Sequence, residues 1–273
     1  MQFGKRLGKR IPKLDHRTLR LSRYLPALPP PPTHIDHASA IVNPGMMGND
    51  AYGDCGVAAM GHMVQSWTAY SGAGQRNIPD ADILAAYFEL SPNDQGIYLL
   101  DGLNYWRKSG VGGDNIEAFA ATDGGNLLQA KLAIQMFGSA YIGMSLPDQN
   151  TFGPWTTVQG PPNPFNGHAV NLCAYDDARQ MFKAITWGEV VDLSYAWLQR
   201  YCDESYATLN DIQQIKSSGL SPEGFDWARL ENDLAHINDP EVPVVPVVPP
   251  SPTRCERWRS RSSVAQFVRD TLR

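Results

Sequence analysis

Apolar residues return at helical spacing just after Asp54: Val57, Ala58, Met60, Met63, Val64 and Trp67 mark one face, with small Gly56, Ala59 and Gly61 among them. Aspartate is a favoured N-cap, so the pattern predicts a helix capped by Asp54 with Cys55 in its first turn. A second helix is predicted to start near Pro79-Asp80 (DADILAAYFEL), a third over 102–109 ending at Gly110, and a fourth over 127–137 stopped by Gly138. The pattern then changes. The segments AYIGMSL (140–146), HAVNLCAY (168–175) and FKAITWG (182–188) read as strands, with Asp176-Asp177 in the turn between the last two. Residues 194–202 and 226–237 read as helical again. Helices first and strands later predict an α+β fold with segregated layers rather than a βαβ repeat.

Proline divides the chain. The run Pro29 to Pro32 closes an N-terminal arm (1–34), and PEVPVVPVVPPSPT (240–253) reads as a semi-rigid spacer. The expected organisation is therefore a basic, Pro-rich arm over 1–34, a body over 35–238, a Pro-rich linker over 239–253 and a basic tail over 254–273. In the tail, Val264, Phe267, Val268 and Leu272 fall at the spacing of a short helix.

Charge sharpens this division. The 273 residues carry 23 Lys+Arg and 28 Asp+Glu, net −5, with 42% hydrophobic residues, which excludes wholesale disorder. By segment the balance is uneven. Residues 1–23 hold eight basic residues and one acid, net +7; 24–253 hold nine basic and 25 acidic, net −16; 254–273 hold six basic and two acidic, net +4. Basic arms on an acidic body suggest an anionic partner, nucleic acid or an acidic protein, at the termini. No run of about 18 apolar residues predicts a membrane span, and the basic N-terminus lacks the apolar stretch of a signal peptide. Four cysteines without CxxC pairs predict neither a zinc site nor a dense disulfide framework, and no cofactor or metal is expected.

Cys55 carries the chemistry best. A thiol at a helix N-terminus faces unsatisfied N–H groups and the positive end of the helix dipole, which favour the nucleophilic thiolate. The plain alternative is a small buried residue in a Gly/Ala-rich helix. Of the six histidines, His168 is placed best as its base: it follows the loop GPPNPFNG and opens an apolar strand. Gly102, Gly112 and Gly113 are candidates for a cleft lining with free backbone, ordinary turns being the alternative.

Together NDAYGDCGVAA (49–59), GHAVNLCAYDD (167–177) and AITWGE (184–189) resemble the three signature blocks of papain-like cysteine peptidases, and THIDHASA (33–40) resembles the start of the mature papain domain. The resemblance covers roughly 33–210 and is closest in phrasing to divergent bacterial and phage-encoded members. It implies a helical layer carrying the nucleophile, an antiparallel β layer and a cleft between them. It further implies Cys55 as nucleophile, His168 as base, Asn49 as oxyanion-hole donor in place of the family glutamine, and Trp187 as a cover for the base. A peptide or protein substrate follows, in a cytoplasmic or virion-associated setting.

The departures leave alternatives open. Ile185 stands where the family has the asparagine that orients the histidine, leaving that role vacant or filled by Thr186, Asp176 or Glu189. Strand alternation sets Thr186 on the face opposite Ile185, which argues against it. The disulfide cysteine after the family nucleophile is absent, Ala58 and Ala59 standing there. A papain-like scaffold with little or no catalysis, serving as a binding or virion-associated protein, is thus one alternative; a thiol acyltransferase or deamidase is another. The arm is read as a tether or docking segment in preference to a propeptide covering the cleft.

Overall fold

The computed structural model describes residues 4–24, 30–71, 74–210 and 227–235. The predicted spacer and basic tail, with Cys255 and His236, lie outside the described residues.

Six α-helices and seven β-strands are present among the described residues. Helix α1 (Cys55–Tyr70) is buried from Cys55 through Ser66, as expected of a helix that is apolar or small on nearly every side. Around it stand α2 (Asp80–Leu90) and α3 (Leu99–Ser109). Helix α3 begins three residues before the predicted start, because Leu99 and Leu100 are themselves buried. Helix α4 (Leu127–Phe137) has the predicted limits: Asn126 caps it by accepting from Gln129 N–H at 3.1 Å, and Gly138 ends it at φ 77°. Helices α5 (Tyr195–Tyr201) and α6 (Trp227–Ala235) complete the set.

The strands are β1 (His34–Asp36), β2 (Ala118–Thr122), β3 (Ala140–Ser145), β4 (Gly167–Asp176), β5 (Met181–Thr186), β6 (Glu189–Ser194) and β7 (Cys202–Leu209). They form one antiparallel sheet in the order β2-β7-β3-β4-β5-β6, with β1 paired to β4. A helical layer thus packs on an antiparallel sheet in an α+β fold, as the sequence predicts. One apolar core lies around α1, α2 and α3; another joins the sheet to α4 and α5. Cys55 belongs to the first core and Trp187 to the second.

The N-terminal arm differs most from expectation. It is packed against the body. Leu19, Leu21 and Tyr24 are buried in the sheet-side core, and the Tyr24 hydroxyl donates to Asp233 of α6 at 2.8 Å. Its charges find acids of the same chain: Lys5 meets Glu189, Lys9 meets Asp203 and Glu204, Lys13 meets Asp101, and Arg20 meets Asp123. A tether has no reason to bury leucines. The apolar positions between the basic ones dock the segment, and its positive charge lies on the negative body.

Candidate active site

Cys55 is the first residue of α1, and its side chain is buried. Asp54 occupies the N-cap position, but its side chain makes no capping bond. Both carboxyl oxygens are buried without a hydrogen-bond partner, and burial pushes the carboxyl up to about 8. Asp54 thus stands at the N-cap with Cys55 in the first turn, as the sequence predicts, but without the side-chain bond that makes aspartate a favoured cap. A proton held on this buried acid avoids leaving an uncompensated charge in the apolar interior.

Strand β4 starts at Gly167, which sets His168 at its mouth, fully buried. The ring is fixed on several sides. Its Nε2 is 2.7 Å from the Thr186 hydroxyl, and Trp187 stacks on it at 4.0 Å between centroids and 16° between planes. Trp155 stands 5.9 Å from the same ring. Nδ1 is buried without a hydrogen-bond partner. Cys55 and His168 reach the same locality through the backbone: the N–H of Ala169, next after His168, approaches the Cys55 thiol.

Thr186, set aside on alternation grounds, is the side chain on the histidine. The alternation itself holds. Ile185 turns away into a small cluster with Ala38, Cys173 and Ala174, so the position that meets the ring is the next residue. Strand β5 ends there, and Trp187 at φ 49° followed by Gly188 at φ 72° turns the chain so that the indole folds back over the imidazole.

Asn49 is buried close to Asp54, and its amide donates to the Tyr52 carbonyl at 3.0 Å. Of the other histidines, His62 on α1 bonds Gly45 O at 3.1 Å and His37 bonds Gly138 O at 2.8 Å, so both are structural. Gly102 packs against Met60 and Ile97, Gly112 against Ile78, and Gly113 near Arg76; none of the three faces the arm or Cys55.

The cleft is occupied by the chain's own residues 5–10. Arg6 N–H donates to Asn49 O at 3.0 Å, Gly8 N–H and Lys9 N–H to Gly167 O at 3.2 and 3.1 Å, and Arg10 N–H to Ile97 O at 2.8 Å; Ile97 N–H returns a bond to Gly8 O at 2.8 Å. The indole Nε1 of Trp187 donates to Arg6 O at 3.1 Å. Gly8 N–H also approaches the thiol. The approach is so close that a Cβ on Gly8 would fall 1.6 Å from Gly53 O, and one on Gly167 would fall 1.9 Å from Lys9 O. Side chains at these positions are incompatible with the strap.

Covering sets the electrostatics. Burial pushes the Cys55 thiol up to about 12, the Ala169 and Gly8 N–H groups opposing the rise and Asp54 adding to it. Burial holds the His168 imidazole down at about 3, with Lys5 and His62 adding to the fall. In the covered form both groups are therefore neutral, in place of the thiolate that a helix N-terminus favours. Dry surroundings penalise both charges more than the helix terminus favours the thiolate.

Sequence reasoning missed Lys9, Asp203 and Glu204, which meet although Lys9 and Asp203 are 194 residues apart. Among the described residues no helix is long and apolar enough to cross a membrane, and no cluster of three metal-ligating side chains occurs.

No family model matches the chain, and no curated protein is significantly similar in sequence. Among solved structures it is similar to xylellain, a cysteine protease from Xylella fastidiosa, at 16% identity over 77% of this chain and 99% of that one, with TM-score 0.58. It is also similar to procathepsin L2 proteinase from Tenebrio molitor larval midgut (10% identity, 76% and 78% covered, TM-score 0.54). A third is proCathepsin B from Trypanosoma congolense (11%, 75% and 86%, TM-score 0.52). The order of elements, the antiparallel sheet and this likeness together assign the chain the papain-like cysteine protease fold.

Proposed function

We propose that the chain is a papain-like thiol hydrolase of the peptidase kind, with Cys55 as nucleophile and His168 as its base, in a latent form whose cleft is filled by residues 5–10. One observation carries the reading. The Cys55 thiol at the head of α1 meets the backbone beside His168, while Thr186 holds one nitrogen of that ring and leaves Nδ1 unpartnered. The free ring nitrogen alone is shared with His62 on α1, so it is the thiol against the backbone beside His168 that carries the reading.

The chemistry follows from those atoms. With the strap displaced, water and substrate enter, and the penalty on both charges falls. The thiol proton passes to His168 Nδ1, and sulfur attacks the carbonyl carbon. The Cys55 N–H and the Asn49 amide hold the developing oxyanion, for which Asn49 exchanges its bond to Tyr52. The C–N bond breaks as His168 gives its proton to the leaving amine. Water then hydrolyses the thioester with the same nitrogen as base. Thr186 fixes the ring and Trp187 shields it throughout.

The test is made on the full-length chain with Gly8→Ala, which unseats the strap. Iodoacetamide and a peptide vinyl sulfone are applied at neutral pH and the adducts mapped by mass. Preferential labelling of Cys55 over Cys173 and Cys202, with peptide hydrolysis lost in Cys55→Ala, supports the reading. Labelling of Cys55 no faster than of Cys173 defeats it and favours the non-catalytic scaffold.

A further inference from the structure

The side chain of Lys9 leaves the strap and enters the body. It is 1% exposed, and its Nζ stands 2.9 Å from an Asp203 oxygen and 3.3 Å from Glu204 Oε1. Both acids follow Cys202 at the start of β7, and both are held by neighbours. The Ser145 hydroxyl donates to Asp203 Oδ2 at 2.6 Å, and the Tyr206 hydroxyl donates to Glu204 Oε2 at 2.9 Å. The floor is open because residue 143 has no side chain: a Cβ there would fall 2.2 Å from Lys9 Cε and 2.8 Å from Glu204 Cγ. The result is a slot wide enough for an aliphatic stem, ending in two carboxylates.

Such a slot is poorly satisfied when empty. Adjacent carboxylates repel each other, and because Glu204 is buried while Asp203 is partly exposed, an apolar side chain would leave the buried acid with no cation to pair. A long side chain with a terminal cation meets both demands, its methylenes against the floor and its charge on the acids. The position along the backbone is set as well. Lys9 follows Gly8, whose N–H lies at the Cys55 thiol, and Lys9 N–H is bonded to Gly167 O next to His168.

We propose that the Asp203–Glu204 slot is a specificity pocket for a lysine or arginine of the substrate, adjacent to the residue at the Cys55 sulfur, and that Lys9 occupies it in the covered form. This rests on the reading of Cys55 as nucleophile. It goes beyond that reading by naming the substrate class: peptides with a basic side chain one residue from the point of attack.

The test uses full-length Lys9→Glu, which removes the resident cation and repels the strap from the two acids. Peptidyl acyloxymethyl ketones carry Lys, Leu or Glu, varied singly at the two positions before the reactive carbon. Cys55 modification is followed by intact mass. The Lys probe is expected to react at least tenfold faster than the Leu probe, with the Glu probe slowest. Adding Glu204→Gln or, separately, the more exposed Asp203→Asn should remove most of that preference, folding being checked by circular dichroism. Equal rates, or a faster Leu probe, overturn the pocket while leaving Cys55 a nucleophile. If Cys55 reacts with none of the probes, nor with iodoacetamide, the nucleophile reading fails by itself. The pocket is then judged by calorimetric binding of the same peptides as amides. A Lys peptide binding tenfold tighter than the Leu peptide supports it, and one binding no tighter overturns it.

Discussion

The Thr186 hydroxyl lies 2.7 Å from His168 Nε2, and this bond leaves Nδ1 as the ring nitrogen without a hydrogen-bond partner. Under the proposed function, that is the nitrogen left for the thiol. A neutral hydroxyl stabilises a protonated imidazole less than an ionised partner would, so the pair depends on position more than on charge.

Replacing that hydroxyl separates positioning from folding. In a strap-displaced background, Thr186→Val should lower kcat on a peptide substrate on the order of 10- to 100-fold, the cost of leaving a buried ring nitrogen unpaired. KM should be little changed, and Thr186→Ser should restore most of the rate. A Val variant with unaltered kcat would remove Thr186 from the site.

The strap leaves no room at Gly8. An alanine there brings its Cβ against Gly53 O, at 1.6 Å in the present geometry, so Gly8→Ala is expected to expel residues 5–10 and hydrate the thiol. Return of the thiol from about 12 to its ordinary 9.0 raises the thiolate fraction about 10³-fold. Alkylation of Cys55 should accelerate accordingly, with the unfolding temperature modestly reduced. An alkylation rate equal to that of the unmodified chain would show that the strap does not control access.

In the unmodified chain the thiol should alkylate slowly and without a step between pH 6 and 9. A raised thiol pKa keeps sulfur protonated until the pH approaches about 12. A reactivity step near pH 6–8 in mass-mapped labelling of Cys55 would contradict the neutral resting state.

Stability should peak near pH 6.5, and the signs can be worked out. His168 and His62 are depressed from 6.5 to about 3 and about 4. Below 6.5 the unfolded chain therefore binds protons at both that the folded chain does not, and stability falls as the solution becomes acid. Asp54 is raised from 3.8 to about 8. Above 3.8 the folded chain keeps a proton that the unfolded chain has lost, so this group costs stability as pH rises toward 8. Of these three groups, the two histidines outweigh Asp54 between about 4 and 6.5 and Asp54 prevails from 6.5 to about 8, each net proton being worth roughly 1 kcal/mol per pH unit. Thermal unfolding followed from pH 4 to 9 should show the maximum, and Asp54→Asn should flatten the alkaline side. An unchanged alkaline slope in that variant would mean that Asp54 is ionised in the folded chain.

Much of this protein was legible along the chain. The α1 face, the limits of α4, the strand opened by His168 and most of the strand read over 182–188 depend on local period, caps and turn residues. Helices and half-buried strands of this kind carry those signals within a few residues. Strands β2 and β7 carried no comparable signal. AFAAT is nearly featureless, and CDESYATL places its acids where only a distant lysine explains them.

What the linear order could not decide is how side chains far apart in sequence meet. The sequence by itself determined the layers, because hydrophobic period is a local property, and it offered Cys55 and His168 as a pair through the resemblance of their blocks to papain-like peptidases. Only the tertiary structure decided that the arm is a strap through the cleft, that Thr186 and not its neighbour faces the ring, and that the thiol rests neutral. Each depends on long-range burial: of Leu19 and Leu21 in the sheet-side core, of Ile185 behind β5, and of Cys55 beneath Gly8. A segment with net charge +7 reads as an arm until the acids that receive it are placed. Folding brings Asp203 and Glu204 to Lys9, and the charge that suggested an external partner is in part neutralised within the chain.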